Sequence, residues 1–341
     1  MKLILIILIT FTLSSFAEYT NEQLFISEDG KEIYLSHNKR TLFTLDTESL
    51  KVKNRKWLGF NSIGMDFAFD NKSYLVNKEN YLSILDSKDL KEKFRAENEI
   101  WNPVIDREKG LIYGLGQGSV VVLDKSLKLK KEFKLPKNFS ANAFCISEKK
   151  DSFYILSRND QKKEKKLDYN ALREATKEMT DLEELIFEQK NDGKSCKLLL
   201  MSLDGKVKKQ IDLFYSANDD SATATRMSSY NGNVAIINEG NVHALISAKG
   251  EIKLFKTNSR AESSYFAKDL SFCLSGYSQG VHLTDLKTMK TSEISFQNLI
   301  SFEDVMDFCI DKNKNIYALT KYSRLLKISP EGKLISITPI F

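Results

Sequence analysis

From residue 22 onward, apolar and polar positions alternate over short runs, and turn residues punctuate the runs at close intervals. The clearest stretch is Phe25-Ile26-Ser27-Glu28-Asp29-Gly30-Lys31-Glu32-Ile33-Tyr34-Leu35, followed by Thr41-Leu42-Phe43-Thr44-Leu45-Asp46. It reads strand, tight Asp-Gly turn, strand, short loop, strand, because alternation of period two puts every second side chain on one buried face. The pattern then repeats. Turn residues after the first strand of each repeat fall at Ser27, Asp70, Asp106, Ser147, Ser229, Lys268 and Asp311. The third strand of each repeat ends at Asp46, Asp86, Asp124, Asp204, Ala248, Asp285 and Pro330, in steps of 40, 38, 80, 44, 37 and 45 residues. A period near 40 with four strands per repeat is the signature of a β-propeller blade.

Seven repeats follow, at about 22–57, 63–97, 100–136, 141–213, 223–257, 263–297 and 303–340. The expected fold is all-β: a seven-bladed β-propeller of four-stranded antiparallel blades, with a helical insertion in blade four. Each repeat holds its own four strands, so no strand is expected to pass between the termini. A tyrosine recurs in the second strand at Tyr34, Tyr74, Tyr113, Tyr154 and Tyr317. Fourth strands such as Leu90-Lys91-Glu92-Lys93-Phe94 mix charge with apolar residues, which suits an outer edge that must not pair with another chain. A β-sandwich joined to a second all-β domain would not produce two sevenfold series in register.

Residues 160–195 interrupt blade four between its second and third strands. Lys162, Lys163, Lys165 and Lys166 precede a helical pattern over 168–188, in which Leu172, Ala175, Met179, Leu182 and Ile186 share one face. Asp168 is placed as an N-cap, and Thr180 with Glu183 form a capping box if the helix breaks there. Two readings stand for this insert: a lid or partner-binding helix, or a hairpin packed on its own blade.

Composition narrows the function less than the fold. Of 341 residues, 42% are hydrophobic and 28% charged, ordinary for a chain that buries a core. Residues 1–17 pair Lys2 with the apolar run Leu3 to Ile9 and end in Ser15 and Ala17, the pattern of a signal peptide cut before Glu18. The mature chain would be residues 18–341, secreted, periplasmic or at the cell surface, with no membrane insertion of its own. Its formal charge falls from +5 to +4 on losing Lys2, spread over a large body, which is not the concentrated footprint of a nucleic-acid binder. Cys145, Cys196, Cys273 and Cys309 lack any C-x-x-C spacing; only Cys273 and Cys309 sit on neighbouring blades, and buried free thiols are the favoured reading. His37, His243 and His282 form no ligand pattern. Gly276-Tyr277-Ser278-Gln279-Gly280 matches a nucleophile elbow in letters, but it joins two strands with no helix after it. Gly114-Leu115-Gly116-Gln117-Gly118 likewise joins two strands and reads as a turn.

Counting four residues back from the turn anchors brings Gln23, Asp66, Asn102 and Asp307 onto adjacent blades, with Trp101 and Arg226 nearby. Oxygen-rich arcs of this kind suit calcium or magnesium, or acid–base chemistry if one carboxyl is raised; a hydrated channel mouth would carry the same residues.

The wording Ser-x-Asp-Gly-Lys-x-Ile-Tyr with a following Leu-Asp, at Ser27 to Asp46, resembles the YVTN type of propeller repeat, common in bacterial surface and periplasmic proteins. The resemblance spans residues 22–340 and is strongest in blade one. It implies a ligand funnel on the face where first strands begin, which is where the insert and the oxygen-rich arc would stand. Two functions are consistent with that. One is a non-enzymatic, monomeric scaffold holding a protein or glycan partner through Trp101, Arg226, Leu172, Met179, Leu182 and Ile186, with no cofactor. The other is a metal-dependent, lactonase-like hydrolase using Asp66 and Asp307 around a divalent cation, with Arg226 binding an anionic substrate. A quinoprotein fits less well, since Trp57 and Trp101 are the only tryptophans.

Overall fold

The structure is a computed structural model, and it describes residues 23–27, 29–37, 40–60, 62–70, 72–78, 81–137, 139–157, 160–161, 168–180, 183–184, 187, 191, 194–213, 226–237, 242–256, 264–277, 280–296 and 303–340. Residues 1–17 lie outside the described residues. The strands form seven antiparallel sheets, and each sheet takes its four main strands from one continuous stretch of chain. Blade one, for example, orders Gln23–Ile26, Glu32–His37, Thr41–Asp46 and Val52–Trp57 from first to fourth. Blade four carries one extra two-residue strand, Asp160–Gln161, paired with its long third strand Lys194–Ser202.

First strands touch first strands around a ring. Gln23–Ile26 meets both Ser62–Phe67 and Val305–Ile310, which closes blade seven onto blade one with no exchanged strand. Packing follows the ring: seven apolar clusters fill the seven gaps between neighbouring blades. Between blades seven and one, for instance, Leu24, Ile33, Leu35 and Phe43 pack on Cys309, Tyr317, Leu319 and Leu325. Each blade is therefore apolar on both faces, and the sheet interior alternates toward one neighbour and then the other.

That alternation corrects one column of the sequence reading. Tyr34, Tyr113, Tyr154 and Tyr317 pack toward the following blade, but Tyr74 of blade two packs back on Tyr34 and Phe25 of blade one. The turn explains the slip. Ser27 N donates to Glu32 O in blade one, and the matching bond in blade two runs from Ala68 N to Ser73 O. The turn anchor of blade two is therefore Ala68 rather than Asp70; counted from these bonds Tyr34 comes two residues after Glu32 but Tyr74 one after Ser73, and an offset of one residue reverses the face of a side chain.

Turns between third and fourth strands share a second device. Each has one residue in the left-handed region: Leu50, Leu90, Leu127, Gly205, Gly250, Met289 and Gly332. The aspartates that end third strands supply the acceptors that hold these turns. Asp46 Oδ1 accepts from Ser49 N at 2.9 Å, Asp124 Oδ1 from Ser126 N at 2.8 Å and Asp285 Oδ1 from Thr288 N at 2.6 Å.

All four cysteines are free and buried. The helical pattern is broken in the middle: a first helix runs Tyr169–Thr176, capped by Asp168, whose side chain accepts from Ala171 N at 2.9 Å, and Glu183, Glu184 and Phe187 are again helical. Thr180 and Glu183 then make the reciprocal capping box, with Thr180 N donating to Glu183 Oε2 at 2.9 Å and Glu183 N to Thr180 Oγ1 at 3.4 Å. The break falls where that box restarts the turn.

Candidate functional site

In an up-and-down blade, the start of the first strand, the end of the second, the start of the third and the end of the fourth lie at one end of the sheet. The side chains gathered at that end by the sequence are engaged between blades. Asp307 Oδ2 accepts from Leu24 N at 2.8 Å, linking blade seven to blade one. Gln23 Oε1 accepts from Met65 N at 2.7 Å, linking blade one to blade two. Asn102 Nδ2 donates to Asn142 O at 3.2 Å, linking blade three to blade four. Each points to the following blade and braces its first strand.

Asp66 stands apart from these three. It is the fifth residue of Ser62–Phe67, whereas Gln23, Asn102 and Asp307 are first, second and third in theirs. At about 3.3 Å per residue it sits several ångströms further along the ring axis. The misplaced anchor at Asp70 is the reason. Its side chain is about half exposed and lies 3.7 Å from the Arg107 guanidinium, which also donates to Phe67 O at 2.9 Å. Crowding by surrounding protein raises its carboxyl above the usual range, with Arg107 and, from blade six across the ring, Lys268 pulling it back. Among the described residues, no three His, Cys, Asp or Glu side chains cluster as a metal site requires.

Trp101 is 39% exposed although it opens the innermost strand of blade three, Trp101–Asp106. A bulge produces this. Pairing with the second strand shifts between Tyr113/Val104 and Leu115/Trp101, and Asn102 takes up the extra residue at φ 48°. Gly114 lets the bulge sit close, since a Cβ there would lie 2.3 Å from Ile100 Cγ2 and 3.3 Å from Trp101 O. The glycine-rich turn of the sequence thus has a packing reason in blade three.

Of the other expected contacts, Arg226 opens the first strand of blade five, Arg226–Tyr230, opposite Ile237; its side chain is outside the described residues. Leu172 and Met179 are half-buried, and Leu182 and Ile186 lie outside the described residues. The elbow-like Gly276 and Gly280 belong to two directly paired strands, with Tyr277 opposite Gly280, and a strand follows rather than a helix. Of the histidines, His243 is buried against Phe255, and His282 stacks on Tyr277 with ring centroids 4.5 Å apart.

Two features escaped the sequence. Asn77 and Ser36 stand near the ends of the second strands of blades two and one, buried, with Asn77 Oδ1 and Ser36 Oγ unpartnered. Asn77 Nδ2 donates to Ile100 O, directly before Trp101, at 3.3 Å. In blade seven, buried Glu303 pairs with Arg324 and accepts from Thr320 Oγ1 at 2.6 Å. Both are polar residues among ordinary strand residues, and neither leaves a spacing signal.

No family model matches the chain, and no curated protein matches it. Solved structures match widely, 1591 chains in all, which ties the chain to a common architecture rather than to one activity. One of them is dihydro-heme d1 dehydrogenase NirN in complex with DHE: 12% identical, TM-score 0.59, with the alignment covering 93% of this chain and 66% of that one. At that identity the likeness is one of fold, and this chain spans slightly less than two thirds of NirN. The chain is a seven-bladed β-propeller.

Proposed function

We propose that the chain is an exported, non-enzymatic propeller of the YVTN type that holds a protein or glycan partner on the face where its first strands begin. The observation that carries this reading is the use made of Gln23, Asn102 and Asp307. Each of these three polar side chains braces the next blade, so they work as joinery, while Trp101 on the inner ring stays exposed. Export rests on the residue pattern of 1–17. The insert of residues 160–195 would stand beside the same opening and add Leu172 and Met179 to the contact. Dehydrogenation of a haem d1 precursor belongs to NirN; here the two described histidine side chains are packed within blades five and six. The hydrolase alternative keeps one supporting observation, the raised and half-exposed carboxyl of Asp66 beside Arg107.

The test is a photocrosslinking residue placed at position 101, and separately at position 129 on an outer strand, in cells producing the full chain. The expected result is a defined adduct from 101 and none from 129. Calorimetric titration with calcium and magnesium, repeated on Asp66→Ala and Asp307→Ala, addresses the alternative. Absent adducts together with tight cation binding lost in Asp66→Ala would replace the scaffold by the hydrolase.

A further inference from the structure

The surroundings of Trp101 narrow the partner to one chemical class. The inference rests on the binding-face reading above and names its ligand. The ring is presented on a rigid support: a bulge at Asn102, a strand anchored by Asn77 Nδ2 on Ile100 O, and Gly114 beneath. The neighbouring turn is bare. Gly116 and Gly118 flank exposed Gln117, and a Cβ at Gly118 would meet nothing within 4 Å, so no side chain from those glycines walls off the indole. Directly below the Trp101 strand, Asn77 Oδ1 is a buried acceptor without a partner, and Ser36 Oγ is a second such atom near the matching strand end of the preceding blade. Buried polar atoms are rarely left unpaired in native proteins. An aromatic face on a strand held by an amide whose oxygen is unmatched is the complement of a sugar, which offers a C–H face to the ring and hydroxyls to the edge.

Charge then decides among sugars. The strand leading into Trp101 ends with Glu97 and Glu99, both exposed. Its two cations are engaged, Lys93 with Asp86 at 2.8 Å and Arg95 over the Tyr81 ring at 4.5 Å, and Lys78, opposite Tyr81, lies over the Phe60 ring at 5.0 Å. The approach to the indole is therefore acidic, which repels phosphorylated, sulfated or uronic polymers. We infer that the mouth of blades one to three is a subsite for a neutral oligosaccharide, with one hexose stacked on Trp101 and its hydroxyls completing Asn77.

The chain contains two tryptophans, Trp57 and Trp101, and Trp57 ends the outermost strand of blade one, away from the inner ring. Intrinsic fluorescence of the Trp57→Phe full chain therefore reports Trp101 alone. That variant is titrated with cellohexaose, maltohexaose and the hexamer of N-acetylglucosamine, with dextran sulfate as the charged comparison. A saturable change with one of the neutral hexamers and none with dextran sulfate is expected. Binding by calorimetry should fall at least tenfold in Trp101→Ala and severalfold in Asn77→Leu, with Trp57→Phe unchanged; a merely structural Asn77 would lower the melting temperature and leave the affinity of the folded fraction intact. Silence with all three neutral hexamers overturns the inference, as does preference for dextran sulfate. If the hexamers are silent while position 101 still crosslinks a protein, the sugar class falls and the binding face stands. If both are silent, both fall.

Discussion

Leu50, Leu90, Leu127 and Met289 hold left-handed backbone that β-turns usually give to glycine or asparagine. Such a conformation costs a non-glycine residue about 1–2 kcal/mol, and burial offsets it at Leu50 and Leu127, which are 1% and 2% exposed. This inverts a familiar order. Leu50→Ala loses the burial and keeps the strain, so it should cost about 2–5 kcal/mol, whereas Leu50→Gly should be the milder variant by about 1 kcal/mol. Urea unfolding of the pair decides it; an alanine variant more stable than the glycine one would remove strain from the account. Acid response has two separate residue-level sources. Burial pushes His243 down to about 4, so the unfolded chain, with an ordinary value of 6.5, binds more protons between those limits. Stability should therefore fall as pH drops from 6.5 to 4, by up to about 3 kcal/mol at 1.36 kcal/mol per pH unit. The turn carboxylates act lower down. Bonds from Lys93 to Asp86 and from Ser202 to Asp204 hold both carboxyls near 2, so their contribution is complete above about 4 and is lost as pH falls from there through about 2. Urea midpoints of His243→Gln at pH 7, 4.5 and 3 should lose the upper step and keep the lower one.

At the scale of the element, the second-to-third turn of blade three is where close packing and exposure meet. Gly114→Ala would drive a methyl into Ile100 Cγ2 and against Trp101 O. Overpacking of this kind costs about 1–3 kcal/mol, and here it should also move the bulge that presents Trp101. The expected signature is a shifted tryptophan emission in the folded protein together with a lowered melting point; Gly118→Ala, in open space but at φ 71°, should lower the melting point through strain with Trp101 emission unchanged. The same blade shows what the sequence could and could not disclose. Strand number, blade count and turn positions were legible because turn residues such as Ser27, Asp46 and Asp124 carry their own backbone hydrogen bonds, a local chemistry written in local letters. Facing direction was legible only where the turn anchor was right. In blade two Asp70 stood in for Ala68, so Asp66 dropped out of level with Gln23 and Asp307, and Tyr74, one residue short of the Tyr34 column, changed neighbours. The helix pattern was legible with its break: the apolar stripe continues past Thr176, the Thr180–Glu183 box marks the interruption, and helical residues resume at Glu183. Asn77 and Ser36 were invisible, since an unpaired buried atom is a property of three-dimensional surroundings.

At the scale of the whole molecule, the ring closes without covalent or hydrogen-bonded strand exchange, so blades seven and one meet as two complete sheets. Polar links across that seam include Leu24 N to Asp307 Oδ2 at 2.8 Å, Tyr317 Oη to Thr47 O at 3.2 Å and Lys327 Nζ to Thr47 O at 3.0 Å. The apolar cluster of Leu24, Ile33, Tyr317 and Leu325 lies between them. Every other gap is also bridged by the chain itself, which passes from one blade into the next; only this one joins the two ends of the described chain. Opening therefore starts most easily there, because separating these blades releases the ring without stretching a linker. Asp307 is the link to cut. Its carboxylate is 4% exposed and accepts a backbone amide, a charge-assisted bond whose loss costs about 1.5–3 kcal/mol. Asp307→Ala should accelerate amide exchange in Gln23–Ile26 and Val305–Ile310 by one to two orders of magnitude while leaving Ser152–Ser157 of blade four near its original rate. Hydrogen exchange read by mass spectrometry separates the outcomes. A uniform rise over all seven blades would mean the ring opens as one cooperative unit with no preferred seam, and no rise in blade one would mean the apolar cluster alone holds the closure.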